Sequence, residues 1–245
     1  MPGGGQSGWQ RFVGFLEEAA EWVREHEDEI RFWGLWGAVG TTGRKAHLYV
    51  PLHPESWERI QAASHDDEVS DYEALIVSLY APDGPGFGAL CEELSSAPLL
   101  DDRRGEVGEV LDSLVDERFY LVVCGALPLV EYTLSRAAGK WSDPRKHLEG
   151  LRARLHEPAA FSADAENALL LEGTAVEMIL HEIPEVWRNG PQTVGAISEK
   201  LNRHLALHGT GIGWDDKRNA MRAVLLLAAV ARIAEPLFEP ASTSS

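Results

Sequence analysis

The sequence predicts a mainly α-helical protein: a helical bundle in the carboxy-terminal half, preceded by a mostly helical subdomain with one short β element. Three observations predict it. Apolar residues recur at three- and four-residue steps over long stretches, the pattern of a helix that buries one face. Glycine- and proline-marked connections between the later stretches are short, as neighbouring helices of a bundle require. Hydrophobic residues make up 44% of the 245 positions, enough to form a core.

Residues 9–39 read as one long amphipathic helix, with Phe12, Phe15, Leu16, Ala19, Trp22, Val23, Ile30 and Trp33 as its apolar stripe and glutamates opposite. The glycine-rich run from Gly37 to Lys45 reads as a turn, because its spacing is not that of a phosphate-binding loop. Residues 46–52 read as the short strand, stopped by Pro51 and Pro54. A helix follows over residues 56–63. Residues 72–80 fit strand or helix equally, and periodicity does not decide between them. Residues 81–86 form a turn, and residues 87–94 a helix. The polar, turn-like segment from Leu99 to Gly105 marks the boundary between an acidic unit, 1–104, and the bundle, 105–240.

Beyond that boundary four long helices are expected, at 117–138, 164–181, 195–208 and 216–234. Pro128 kinks the first. Ser162 or Asp164 caps the second, and a basic amphipathic segment at 145–155 lies between these two. In the third, Ile197, Leu201, His204, Leu205 and His208 share one face, and Gly209 stops the helix. Asp215 or Asp216 caps the fourth, whose apolar surplus at Leu225, Leu226, Leu227 and Val230 suggests packing against a second chain. The tail at 240–245 is expected to be disordered.

The words of the third helix, Asn202-Arg203-His204-Leu205-Ala206-Leu207-His208-Gly209, followed by a glycine-rich turn and a long apolar helix, resemble the signature of the HEPN superfamily (higher eukaryotes and prokaryotes nucleotide-binding domains). The resemblance is strongest over residues 196–233, extends back to about Leu114, and does not reach the first hundred residues. It implies a small helical bundle. Many members are metal-independent endoribonucleases of toxin–antitoxin and phage-defence systems, and others bind without cleaving. By that resemblance Arg203 clamps the phosphate in the transition state, His208 is the general base or acid, and His204 helps position them. Glu131, a carboxylate in an apolar run, orients Arg203 or a motif histidine. A pair of bundles would build the composite site, which implies a homodimer.

The chemistry suits those residue types. Histidine titrates near neutrality and can move protons, while the guanidinium fork is always charged and can hold two phosphate oxygens. Arg203 precedes His208 by five positions, about 140° around an ideal helix. The two therefore converge only if the helix end is distorted or a second copy faces them. His204 and His208 also have zinc-ligand spacing, but no His-Glu-x-x-His pattern or third ligand accompanies them, so neither metal nor cofactor is expected.

The formal charge of −17 opposes nucleic-acid binding, since like charges repel the phosphate backbone. Around the motif the balance reverses, and Lys200, Lys217, Arg218 and Arg222, with Asn202, form the expected RNA-binding set. Two cysteines without a CxxC pattern, a glycine-rich leader and a longest apolar run of only residues 223–231 predict a soluble cytoplasmic protein with no membrane partner. Two function classes stay open. One is a HEPN-like endoribonuclease, with RNA as substrate and a neutralising protein partner. The other is a catalytically inactive dimeric protein that binds RNA, a nucleotide or a basic partner.

Overall fold

The structure, a computed structural model, describes residues 27–66, 71–141, 143–148, 166–188, 196–197, 201–208, 211–212 and 214–238. Among them are nine α-helices, a further helical stretch over 144–148 and one two-residue strand pair, so the chain is a mainly α-helical bundle. The helices are α1 (Glu27–Ala46), α2 (Pro54–Ser64), α3 (Tyr72–Tyr80), α4 (Phe87–Ser96), α5 (Arg104–Val115), α6 (Phe119–Ala137), α7 (Glu166–Val186), α8 (Arg203–His208) and α9 (Lys217–Phe238).

Helix α9 is the axis. Every side chain from Ala223 to Val230 is fully buried, so this stretch is apolar all round rather than on one stripe, as a helix enclosed by others must be. It packs most extensively on α6 and α7, and also on α3, α4 and the 3-10 turn Pro98–Arg103. Leu225, Leu226, Leu227 and Val230 are therefore covered within one chain, which corrects the expectation that their surplus awaits a second copy. The buried apolar residues on both sides of residue 104 form a single cluster.

Helices α5 and α6 approach closely at Gly125, where an added Cβ would lie 2.6 Å from Val110 Cγ2. Pro128 lies inside α6, where its ring leaves the Cys124 carbonyl without the helical donor four residues on. Pro184 sits likewise inside α7, which continues past the expected end at 181 to Val186. The undecided segment at 72–80 is helix α3, with Asp71 Oδ1 accepting the Ala74 N–H at 2.9 Å as its N-cap.

Several expectations are corrected. The run Gly37 to Lys45 is helix, not turn: Val39, Thr42, Gly43 and Ala46 are buried at helical spacing on one face of α1. Residues 46–52 are not a strand. Ala46 ends α1, His47 adopts a left-handed φ of 52°, and Leu48, Tyr49 and Val50 run buried without a ladder. Polar groups there are satisfied otherwise: the Tyr49 N–H meets Met178 Sδ at 3.1 Å, and the Pro51 carbonyl accepts from Trp57 Nε1 at 2.9 Å and the Tyr80 hydroxyl at 2.5 Å. The turn-like segment at 99–105 is the 3-10 turn running directly into α5. The expected helices over residues 9–26 and 149–155, the cap at 162–164 and the tail at 240–245 lie outside the described residues.

The largest correction concerns the motif. The helix expected over 195–208 begins only at Arg203. Ala196–Ile197 instead pairs in parallel with Gly211–Ile212, a segment read as turn, so two short strands bracket α8 and fix both of its ends. Asn202 stands at the N-cap, its carbonyl accepting the Ala206 N–H at 3.0 Å.

Candidate functional site

Glu131 occupies the core-facing side of α6, between Val130 and Leu134, with its side chain only 11% exposed. A carboxylate in that position needs partners, because an unpaired buried charge is costly. It has two. Trp187, one residue past α7, donates its indole N–H to Oε1 at 2.7 Å. The Arg203 guanidinium forms an ion pair with the same oxygen through Nε, a close contact not aligned as a hydrogen bond. Arg203 is the first residue of α8, and its side chain stays 33% exposed. One carboxylate thus gathers the end of α7, the start of α8 and the middle of α6, while the arginine keeps an open side.

Asn202 is turned to structure. It is buried, and its side-chain amide donates to the Arg188 carbonyl at 3.2 Å, tying the start of α8 to the end of α7. His204 and His208 hold the second and last positions of α8, with side chains outside the described residues. Lys200 also lies outside them. The structure therefore brings Glu131 and Arg203 together, with Trp187 as a third member that sequence reasoning missed. The available signal was an indole beside the proline-marked end of a helix, which when buried must find an acceptor.

Lys217, Arg218 and Arg222, expected to meet RNA, each meet a carboxylate of this chain. Lys217 Nζ lies 3.4 Å from Asp83, Arg218 Nη2 lies 2.8 Å from Asp71, and Arg222 bridges Glu73 at 2.8 Å and Glu182 at 2.9 Å. Glu73, with Asp71, raises the Arg218 pKa further, and Asp71 is held below the usual carboxylate range by the Ala74 N–H and then by Arg218. A phosphate arriving here would have to displace those carboxylates. Sequence reasoning also missed the adjoining pair of rings: His47 and His181 stack at 3.7 Å, and His181 Nδ1 lies 3.0 Å from Glu182 Oε1.

Among the described residues no group of histidine, cysteine or carboxylate side chains is arranged to hold a metal ion, and no helix is long and apolar enough to cross a membrane. Compared with protein-family models, curated proteins and solved structures, the chain matches none.

Proposed function

We propose that this protein is a HEPN-like, metal-independent endoribonuclease of toxin or phage-defence type, with Arg203 as its phosphate clamp. The observation that supports this reading is the Arg203–Glu131 pair, a partly exposed guanidinium held in place by a buried carboxylate. A transition-state clamp needs that preorganisation, since a fixed cation stabilises developing phosphate charge without reorganising. In this reading His208 moves the proton to or from the 2′-hydroxyl or leaving oxygen, His204 positions it, and two copies of the chain complete the site.

The test is cleavage of mixed RNAs by the purified protein with EDTA present. Arg203→Lys is expected to abolish cleavage with the fold intact, because an ammonium does not reproduce the bidentate fork. His208→Ala is expected to do the same. Persistent cleavage in either variant removes that residue from the mechanism.

A second reading, a catalytically inactive interaction protein, is favoured by one observation: Lys217, Arg218 and Arg222 are already matched by Asp83, Asp71, Glu73 and Glu182. It predicts no cleavage under any condition and a stable complex with a protein partner.

A further inference from the structure

Helix α6 ends at Ala137, two residues after Ser135, and is followed by a left-handed glycine at 139. Gly139 has a φ of 65°, the Gly139 N–H reaches the Arg136 carbonyl at 3.0 Å, and the Lys140 N–H reaches the Ser135 carbonyl at 3.0 Å. This cap turns the chain back so that Lys140 and Trp141 stand over the last turn of α6. Between them lies a cleft of about 380 Å³, walled by Tyr132, Ser135, Arg136, Lys140 and Trp141, with Asp102 at its edge. A second cleft of about 360 Å³ adjoins it, sharing Tyr132 and Trp141 and reaching Pro128. Both volumes fall at the low end of the small-molecule range, and the first cleft lies largely open to solvent.

Three features of this cleft are unexplained by the fold. Trp141 is 72% exposed, the largest apolar side chain the described residues leave in water. Ser135 is only 5% exposed, yet its hydroxyl has no hydrogen-bond partner, although a buried polar atom of this kind normally has one. Lys140 has no carboxylate within ion-pair distance among the described residues, whereas its neighbours do. Arg136 meets Asp101 and Asp102, each at 2.7 Å, and Arg103 meets Glu106 at 2.7 Å while lying over one face of the Tyr132 ring. Tyr132 spends its hydroxyl on Asp102 at 2.5 Å. What remains uncommitted is an indole face, one ammonium and one buried hydroxyl.

We infer that this cleft is a binding site for a small planar aromatic compound bearing a single anionic group, of the aryl carboxylate class. The ring stacks on Trp141, the carboxylate pairs with Lys140, and the Ser135 hydroxyl donates the hydrogen bond it now lacks. A cation is disfavoured because the two acids lining the clefts, Asp102 and Glu106, are already paired with Arg136 and Arg103, and Lys140 adds a positive charge beside them. A dianion is disfavoured because Lys140 is the one lining cation without a carboxylate among the described residues. The dipole at the end of α6, which Lys140 must offset even for a single charge, opposes a second one. The site stands apart from the Arg203 pair and does not depend on the function proposed above.

Isothermal titration of the full chain with 2-naphthoate, and with neutral 2-naphthamide as its isostere, tests this. Saturable one-to-one binding of naphthoate is expected. Trp141→Ala should weaken it about tenfold, equivalent to about 1.4 kcal/mol of stacking, and Ser135→Ala about fivefold, equivalent to about 1 kcal/mol for one hydrogen bond. Lys140→Met should weaken naphthoate severalfold while leaving naphthamide unchanged. Trp141 and Lys140 are exposed, so these two variants should keep the wild-type circular dichroism and melting point. The inference is overturned if the wild-type chain shows no saturable binding at millimolar naphthoate, if naphthamide binds as tightly as naphthoate, or if Trp141→Ala binds unchanged.

Discussion

At Glu131 one oxygen serves two partners, accepting from the Trp187 indole and pairing with the Arg203 guanidinium charge, which makes this residue both a structural and a chemical part. Glu131→Ala leaves the indole unsatisfied and the arginine unpaired, and is expected to cost about 2–4 kcal/mol, the lower end reflecting the partial exposure of Arg203. Glu131→Gln keeps an acceptor for Trp187 and should cost less, while freeing Arg203. Urea unfolding checks both, and a larger loss in the glutamine variant would contradict the assignment. His147 offers a different readout. Burial, and then the nearby Lys140 charge, push its pKa below the ordinary 6.5, so it stays neutral in the fold where the unfolded chain takes up a proton. Its contribution is therefore fully present above pH 6.5 and is lost as pH falls from 6.5 toward the depressed value. The wild-type melting temperature is expected to fall over that window more than that of His147→Gln, which carries no titrating ring. Parallel pH profiles would remove His147 from the account.

Among elements, α3, α7 and α9 are joined through Arg222, which lies between Glu73 and the buried Glu182. Arg222→Met strips both carboxylates of their common partner and leaves Glu182 charged in the interior, so a loss of about 3–5 kcal/mol is expected by urea unfolding. Glu182→Gln in the same background should recover part of it, and the absence of any recovery would mean that lost packing, not charge, set the cost. The turn after α3 has its own constraint: a Cβ on Gly84 would lie 2.4 Å from the carbonyl oxygens of both Ser78 and Leu79. Gly84→Ala is expected to destabilise the chain by more than about 1 kcal/mol, since backbone atoms must move. Such elements differ in how far the sequence discloses them. Helix α6 was legible from its period, and so was the special standing of Glu131, a lone carboxylate in an apolar run. The Gly37 to Lys45 run misled because glycine and threonine weigh toward turns, whereas burial of Val39, Thr42 and Ala46 against other helices decides the matter. Ala196–Ile197 misled for the opposite reason. Its helical spacing is real, but pairing with Gly211–Ile212 is a contact fourteen residues or more away that no local window contains. The cleft at Trp141 was illegible because a handed glycine cap, not residue spacing, brings Lys140 and Trp141 over α6.

At the scale of the whole molecule, the packing turns on α9. The sequence places a polar segment near residue 104, between an acidic first part and the bundle, yet α9 packs on α3 and α4 from one side of that point and on α6 and α7 from the other. If those contacts dominate, the described parts unfold together. The chain carries its own probes for this, since Cys91 lies in α4 and Cys124 in α6, one on each side, and both thiols are half-buried with pKa values raised by burial. A smaller thiolate fraction and partial burial slow their labelling in the fold, and unfolding exposes them to a labelling reagent. Both cysteines are expected to become reactive at the same urea midpoint, as one cooperative transition requires. Leu226→Ala, which empties a fully buried site in the middle of α9, should then lower stability by about 2–5 kcal/mol and move both midpoints by the same amount. Two separate midpoints, or a shift confined to Cys124, would show that the halves fold independently and that α9 belongs to the bundle alone.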